Sequence, residues 1–339
     1  MLRLPPLSYR QPATLDEALA ILAGEGPAAR IVAGGTDLLP NMKRRHQHAS
    51  TLVSLMGIPS LAGVVDGNGG GLRIGGTTTL STVADHAAVR ARYPALARAV
   101  ESISSPPLRN MGTIGGNLCL DTRCTYYNQT EEWRRSIDYC MKEAGTICWV
   151  ATSSPRCWAH SASDAAPMLC ALGATLRLAS RDGERELPIA ALYRDDGIDY
   201  LTKRPDDVLV EVHVPAEADA AHCRTSFWKL RRRGSIDFAV LSVAAAAWVD
   251  PAGVVERAAL WLGAVGSAPR EAAAAAASLV GRPLDPGTIG HAAELAKKAA
   301  TPMDNTDFQT QWRKAVVGRY VEAALGDCAG LPVERLPRH

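Results

Sequence analysis

Three similar double-glycine turns constrain the fold of the first 120 residues more than any other feature. They read Gly34-Gly35-Thr36, Gly75-Gly76-Thr77 and Gly115-Gly116-Asn117. Glycine turns between a strand and a helix expose main-chain N–H groups and let a diphosphate approach closely. None of the three matches the P-loop pattern or G-x-G-x-x-G, so neither a P-loop nor a Rossmann nicotinamide site is predicted. Their repetition favours a shared ligand-binding role over three independent tight turns.

The pattern around these turns predicts two kinds of domain. Thr14 and Glu17 have capping-box spacing, which predicts a helix start and a β-α-β unit at the beginning of the chain. Later, a run of strands is followed by a run of helices, an order typical of a separate α+β domain. The strands are predicted at 224–230, 240–249 and 254–262, and the helices near 270–279, 286–300 and 308–325.

Composition limits the class of protein. A chain of 339 residues with 21% charged residues and a net charge of +2 is typical of a soluble protein of two or three domains, and gives no indication of nucleic acid or an anionic membrane as partner. The longest apolar run, 240–249, is too short to span a bilayer and predicts a buried strand. We expect a cytoplasmic location, where cysteines serve as metal ligands or buried apolar groups more often than as disulfides.

A cysteine-rich segment, residues 119–158, differs in composition from the Ala-rich chain around it. It contains Cys124, Cys140, Cys148 and Cys157 together with several Trp and Tyr residues. Four thiolates suit a soft metal ion or an iron–sulfur cluster. Structural zinc sites usually supply their cysteines as close C-x₂₋₄-C pairs, which this segment lacks. An iron–sulfur cluster tolerates such dispersed ligands, while zinc and disulfides remain alternatives.

Taken in order, several motifs resemble the FAD-binding medium subunit of the xanthine dehydrogenase / molybdenum hydroxylase family. The resemblance covers nearly the whole chain. The motifs that carry it are Ala33-Gly34-Gly35-Thr36-Asp37-Leu38-Leu39, Ile74-Gly75-Gly76-Thr77-Thr78-Thr79-Leu80, Arg109 to Asn117, Asp164-Ala165-Ala166-Pro167, Phe227-Trp228-Lys229-Leu230, Ser235-Ile236-Asp237-Phe238-Ala239 and Gly263-Ala264-Val265.

This resemblance implies an α+β fold. A two-part FAD-binding domain of the PCMH / vanillyl-alcohol-oxidase type would be followed by a smaller α+β domain of the CO dehydrogenase flavoprotein C-terminal type, with a three-stranded sheet plus helices. The expected boundaries are 1–58 and 59–221 for the two FAD-binding subdomains, with an iron–sulfur insertion at 119–158, and 222–330 for the C-terminal domain.

The resemblance also implies which residues bind FAD. The loops around Gly34 and Gly115 would hold the diphosphate and ribityl chain, and Asp164 and Lys229 match positions near the flavin. The implied FAD-binding residues are Ile31, Val32, Ala33, Gly34, Gly35, Thr36, Asp37, Leu38, Ile103, Gly112, Thr113, Ile114, Gly115, Gly116, Asn117, Asp164 and Lys229.

The cysteine segment departs from the ordinary family pattern and resembles the β subunits of 4-hydroxybenzoyl-CoA reductases, which carry an additional 4Fe-4S cluster in such an insertion. The implied ligands are Cys124, Cys140, Cys148 and Cys157. The other four cysteines and three of the histidines could also bind a metal by residue type, but we interpret them as packing, surface or structural residues: Cys119, Cys170, Cys223, Cys328, His46, His48 and His160.

By resemblance, the chain is an electron-transfer subunit with no catalytic residue for substrate. A large partner subunit would hold the molybdenum cofactor and a small one the 2Fe-2S clusters, in a dimer of heterotrimers with an external electron donor or acceptor such as ferredoxin. The expected activity is reductive dehydroxylation of a phenolic CoA thioester. The alternative is an aldehyde or N-heterocycle hydroxylase running oxidatively. A self-contained flavin oxidase and a zinc-stabilised binding module are two further hypotheses.

Overall fold

The computed structural model describes residues 3–67, 69–216, 222–333 and 336. Residue 221, the predicted end of the second subdomain, lies outside them. The strands are β1 Ser8–Arg10, β2 Ala29–Val32, β3 Thr51–Ser54, β4 Val64–Asp66, β5 Leu72–Gly75, β6 Thr175–Ser180, β7 Gly183–Pro188, β8 Val208–Val214, β9 Cys223–Leu230, β10 Leu241–Val249, β11 Val255–Gly263 and β12 Arg270–Glu271. The helices are α1 Leu15–Glu25, α2 Leu38–Lys43, α3 Leu80–Asp85, α4 Ala87–Arg92, α5 Pro94–Glu101, α6 Pro106–Arg109, α7 Ile114–Leu118, α8 Glu131–Ser136, α9 Ala165–Ala171, α10 Ala273–Leu279, α11 Pro286–Ala299 and α12 Thr310–Ala329.

The N-terminal part forms a parallel sheet in the order β1-β3-β2, covered by α1. The predicted start of α1 is confirmed, since Thr14 Oγ1 accepts a hydrogen bond from the Glu17 N–H at 3.2 Å. The Glu17 carboxylate accepts from the Ala13 N–H at 2.8 Å, one residue earlier than in a standard capping box. This sheet places the first glycine turn directly after β2.

The middle part is an antiparallel sheet in the order β4-β5-β8-β6-β7. Its apolar face packs with α3, α5 and α9, whose buried residues form the largest core of the chain. The second glycine turn follows β5, and the third leads into α7, so both lie at the edge of this core.

The C-terminal part is an antiparallel sheet in the order β12-β11-β10-β9, backed by α10, α11 and α12. The predicted three strands are present, and the two-residue β12 adds a fourth at the edge. All nine residues of β10 are buried. Ala244 and Ala246 belong to the core of the middle sheet, whereas Ala245 and Ala247 belong to the core under the C-terminal helices. One strand therefore serves two cores, because alternate side chains point to opposite faces.

The cysteine segment has little regular structure besides α8, whose first turn is capped by the Thr130 hydroxyl. Arg134 is 1% exposed and forms ion pairs with Glu131 and Glu143. It also donates to the Arg44 carbonyl at 2.8 Å, which fastens the segment to the end of α2. These contacts replace the regular hydrogen bonds that the segment lacks.

The C-terminal domain fastens the other side of the segment through Asn305. The Asn305 carbonyl accepts from the Thr125 N–H at 2.9 Å, and its amide donates to the Trp158 carbonyl at 2.6 Å. Arg313, which is fully buried, donates to the Asn305 side chain at 3.4 Å and to the Val240 and Ala264 carbonyls. Burial lowers the pKa of Arg313 to about 10.

None of the described helices combines the length and apolar character needed to cross a membrane.

Candidate functional site

A cavity of about 620 Å³ opens where the first and third glycine turns face each other. This volume lies in the range of small-molecule and cofactor sites. Most of the predicted FAD-binding residues line it: Ile31, Val32, Ala33, Gly34, Gly35, Thr36, Asp37, Leu38, Ile103, Gly112, Thr113, Gly115, Gly116 and Asn117. Ile114 belongs to the middle core instead, and Asp164 and Lys229 also lie outside the lining.

The first turn, residues 33–38, offers unused hydrogen-bond donors. Among the described groups, none accepts a hydrogen bond from the main-chain N–H groups of residues 34–38. Gly35 has φ +69°, the left-handed conformation that favours glycine. Successive N–H groups in such a loop form a concavity that suits an anion.

The third turn, residues 113–117, already uses its donors within the protein. The Ile114 N–H donates to the Thr78 carbonyl at 3.0 Å and the Gly115 N–H to the Gly76 carbonyl at 2.9 Å. The Gly116 N–H donates to Thr113 Oγ1 at 3.1 Å, which caps α7. This turn therefore gives the cavity its shape, while the first turn gives it free donors.

Asp37, one of the predicted FAD-binding residues, lines the cavity but already has protein partners for its carboxylate. It forms an ion pair with Arg123, accepts a hydrogen bond from the Asn41 amide at 3.0 Å and makes no capping bond to α2. Burial raises the pKa of the Asp37 carboxyl, and the Arg123 guanidinium opposes this effect. Arg123 also stacks on Phe238, 4.7 Å from the ring centroid. Arg123 therefore ties the cysteine segment to the first glycine turn.

Asp164 and Lys229 lie against each other, at 2.6 Å between Oδ2 and Nζ, and both are 4% exposed. Burial raises the pKa of the Asp164 carboxyl, opposed by the Lys229 charge. Lys229 also donates to the Ser102 carbonyl at 3.0 Å, as does Arg231 at the same distance. These cations hold the main chain just before Ile103, which lines the cavity. Lys229 thus contacts the cavity wall through the Ser102 carbonyl, and Asp164 holds Lys229 in place.

Several cavity residues were missed by the sequence analysis. They come from the segment between β7 and β8, from the cysteine segment and from the start of the C-terminal domain: Ile198, Asp199, Tyr200, Leu201, Lys203, Arg204, Pro205, Asp121 and Phe238. The second turn, which was noted for its glycines but not included among the FAD-binding residues, adds Gly76 and Thr77. The 198–205 segment carries no motif, so only its run of Tyr, Lys and Arg between two strands could have drawn attention to it. Burial raises the pKa of the Tyr200 hydroxyl, which stays protonated.

The four predicted cluster ligands come together in the fold. Cys124, Cys140, Cys148 and Cys157 are each less than a tenth exposed. Cys124, Cys140 and Cys157 share one buried cluster with Tyr127 and Ala159. The proximity of the two thiols lowers the pKa of Cys148 and raises that of Cys157.

One main-chain N–H group points at these sulfurs. The Ala159 N–H donates to Cys157 Sγ at 3.4 Å, whereas the Tyr127 N–H donates to the Cys124 carbonyl at 3.1 Å. Burial nevertheless raises the pKa of the Cys124 thiol to about 12, so proton loss there needs a bound cation. All eight cysteines, which lie within the described residues, are free thiols.

No group of three or more His, Cys, Asp or Glu side chains in the described part of the chain is arranged to hold a single metal ion. The assignment of the four cysteines as cluster ligands therefore stays a prediction. The remaining cysteines pack elsewhere: Cys170 in the middle core, Cys223 against it and Cys328 in the C-terminal core. Cys119 contacts the middle core and also lines the cavity.

The histidines take structural or surface positions. His160 is 1% exposed, with Nδ1 3.0 Å from the Ser161 carbonyl, and burial lowers its pKa to about 3. His46 stacks on Tyr127 with ring centroids 4.7 Å apart, and burial lowers its pKa to about 4. His48 is exposed. His46 and His160 are therefore neutral at neutral pH.

Comparison with known proteins identifies the class. Residues 5–217 match the model of the FAD binding domain in molybdopterin dehydrogenase, and residues 225–327 match that of the CO dehydrogenase flavoprotein C-terminal domain. The chain therefore belongs to the family of FAD-binding medium subunits of xanthine dehydrogenases and CO dehydrogenases. The fold predicted from the sequence is confirmed.

Individual relatives agree with this family. The aldehyde oxidoreductase FAD-binding subunit PaoB of Escherichia coli is 32% identical over 73% of this chain and 79% of its own length. The nicotinate dehydrogenase FAD-subunit of Eubacterium barkeri is 28% identical over 80% of this chain and 79% of its own. The solved carbon monoxide dehydrogenase from Hydrogenophaga pseudoflava aligns with a TM-score of 0.80 and 25% identity, over 97% of this chain and 99% of that one.

Proposed function

We propose that the chain is the FAD- and 4Fe-4S-bearing electron-transfer subunit of a heteromeric molybdenum hydroxylase that oxidises an aldehyde or an N-heterocycle. The observation that carries the two-cofactor assignment is the placement of four buried cysteine thiols beside the cavity of a family member, and the relatives supply the oxidative direction. FAD exchanges two electrons in all and can pass them singly, and a 4Fe-4S cluster carries one at a time.

The cavity residues fit FAD in distinct ways. The free N–H groups of residues 34–38 would hold the diphosphate, because an anion needs donors that the protein does not already use. Thr113 and its turn would shape the wall without donating. Asp37 is neutralised by Arg123, so it adds little repulsion toward an anion. Lys229 and Arg231 would fix the 102–103 main chain against the cofactor.

The cysteine site fits a 4Fe-4S cluster better than a zinc ion. A zinc ion needs its thiolates converging on one centre about 2.3 Å away. Each thiolate of a 4Fe-4S cluster binds a different iron, so its cysteines need not come in the close C-x₂₋₄-C pairs of structural zinc sites, and this segment has no such pair. The buried surroundings and the N–H group at Cys157 are features that tune such clusters.

The direction of electron flow is proposed from the relatives. PaoB is named an aldehyde oxidoreductase subunit and its relative from Eubacterium barkeri a nicotinate dehydrogenase subunit. These names favour the oxidative alternative over reductive dehydroxylation. The cysteine segment alone favours a 4-hydroxybenzoyl-CoA reductase, and we therefore keep the reductase as the second candidate.

Partner subunits complete the proposal. The molybdenum cofactor and the 2Fe-2S clusters would lie on a large and a small subunit, assembled as two heterotrimers, with an external partner such as ferredoxin in the cytoplasm. The chain would then bind no substrate of its own. Co-purification of a large molybdenum subunit and a small 2Fe-2S subunit tests this; isolation of an active chain without them contradicts it.

The visible spectrum of the purified chain tests both cofactors at once. We expect resolved flavin bands and a broad shoulder that dithionite bleaches. A colourless preparation that contains zinc would overturn the proposal. With the assembled enzyme, aldehydes and N-heterocycles should reduce the flavin, whereas reduction of a phenolic CoA thioester by a low-potential donor would instead identify the reductase.

Changing Cys140→Ser tests the ligand set. We expect loss of the 4Fe-4S EPR signal with FAD still bound, because Cys140 lies outside the cavity lining. Cys170→Ser is the matched control, since Cys170 is equally buried but lies in the middle core. A full EPR signal in Cys140→Ser would remove Cys140 from the ligand set.

A further inference from the structure

A buried ion pair lies between the cavity and the four cysteines. Lys142 Nζ is 2.8 Å from Asp121 Oδ1, and the two side chains are 5% and 8% exposed. The sequence analysis singled out neither residue. Buried charges are rare and are held where their partners are fixed, so this pair needs an explanation.

Asp121 is the cavity side of the pair. It lines the cavity, and its second oxygen accepts from the Gln47 amide at 2.9 Å. Gln47 and Tyr200 line the cavity too, and the Tyr200 ring centroid is 5.4 Å from Lys142 Nζ. The negative end of the pair is thus part of the cavity wall.

Lys142 is the cysteine side. Its ammonium donates to Asp121, to Thr122 Oγ1 at 2.7 Å and to the Gly197 carbonyl at 2.5 Å. An ammonium has three donors, so all of them are in use and the charge cannot swing toward solvent.

Gly197 connects this charge to the sulfurs. A Cβ atom at Gly197 would lie 2.6 Å from Cys157 Sγ, so the main chain that binds Lys142 packs directly on that sulfur. Lys142 follows Cys140 by two residues, and its charge acts electrostatically on both the Cys140 and the Cys157 thiols.

We propose that the Asp121–Lys142 pair is a fixed dipole that raises the reduction potential of the cluster relative to that of FAD. This inference rests on the proposed function. A cluster held by the four cysteines would become more negative by one charge on accepting one electron from reduced FAD held in the cavity. A buried cation near the cluster stabilises that added charge, and a buried carboxylate in the cavity wall disfavours electron density on the flavin.

The test measures potentials rather than turnover. The full chain is titrated with a reductant while EPR follows the cluster and absorbance follows the flavin. Lys142→Met keeps the length of the apolar stem and removes the charge, so the midpoint potential of the cluster should shift to more negative values. Asp121→Asn removes the negative end, so the potentials of both centres should shift to more positive values.

Two further variants separate charge from structure. Lys142→Arg keeps the charge and should restore a cluster potential close to that of the wild type. Lys298→Met removes an exposed lysine of α11 and should leave both potentials unchanged. If Lys142→Met does not fold, Asp121→Asn alone tests the inference: a positive shift of both potentials supports it, and unchanged potentials overturn it.

The outcomes are distinct. A wild-type chain without a cluster signal overturns the proposed function and this inference together. If the wild-type chain binds a cluster, but Lys142→Met and Asp121→Asn shift its midpoint potential no more than Lys298→Met does, the inference alone is overturned. Opposite shifts of the cluster potential in Lys142→Met and Asp121→Asn establish the dipole.

Discussion

The first and third glycine turns have similar sequences but differ in how their main-chain N–H groups are hydrogen-bonded. Residues 34–38 leave their N–H groups free, whereas residues 114–117 bond theirs to the Thr78 and Gly76 carbonyls and to Thr113. A glycine can therefore be required because a ligand must approach it or because another main-chain segment of the same protein packs against it. The two requirements differ in what an added methyl group meets.

Gly34→Ala should have the largest effect. Its Cβ atom would lie 1.7 Å from the Met111 carbonyl oxygen, so the first turn and the chain before the third must separate. Overpacking of this kind costs about 3 kcal/mol or more, because main chain cannot step aside as a side chain can. We expect a clear fall in the denaturation midpoint and loss of FAD. Stoichiometric FAD at unchanged stability would show that the turns do not meet as described.

Gly35→Ala should cost less. Its φ of +69° strains any side chain, by about 1–2 kcal/mol, but its Cβ atom would meet only the flexible end of Leu39, at 2.9 Å, and Val32. The fold should persist with weakened FAD binding, measured by flavin fluorescence on dilution. A loss as large as that of Gly34→Ala would mean that the conformation of this residue, rather than loop contact, decides.

Gly116→Ala should change stability least. Only Thr113 Oγ1, at 3.0 Å, lies within 4 Å of the added Cβ atom among the described residues. Alanine gains about 0.5–1 kcal/mol over glycine in a helix, which offsets the tight contact. Because Gly116 lines the cavity, FAD affinity should still fall. Wild-type affinity would show that the third turn does not touch the cofactor.

The sequence predicted these turns well because their signals are local. Double glycines after a strand, the Thr14 cap and the apolar run that became β10 each depend on neighbouring residues. What was missed depends on residues distant in sequence. Two of the acceptors for the N–H groups of the third turn, the Thr78 and Gly76 carbonyls, come from the second turn, and Asp37 pairs with Arg123, which lies 86 positions away in the sequence.

The same reason explains the incomplete prediction of the site. The cavity segment 198–205 has no motif, because its residues act only once the fold has brought them to the cavity wall. Likewise, the pairing of Asp164 with Lys229 is invisible in the sequence, where each residue stood alone as a flavin neighbour. Their contact with FAD stays a prediction.

The double burial of β10 has a consequence for how the chain unfolds. Ala244 and Ala246 complete the core of the middle sheet, while Ala245 and Ala247 complete the core under the C-terminal helices. Neither half can open without exposing an apolar face of this strand to water. The two domains that match separate family models are therefore expected to unfold cooperatively. A chain cut near residue 222 should expose an apolar face of the middle core to water, and heating the full chain should melt both halves in one transition, measured by calorimetry.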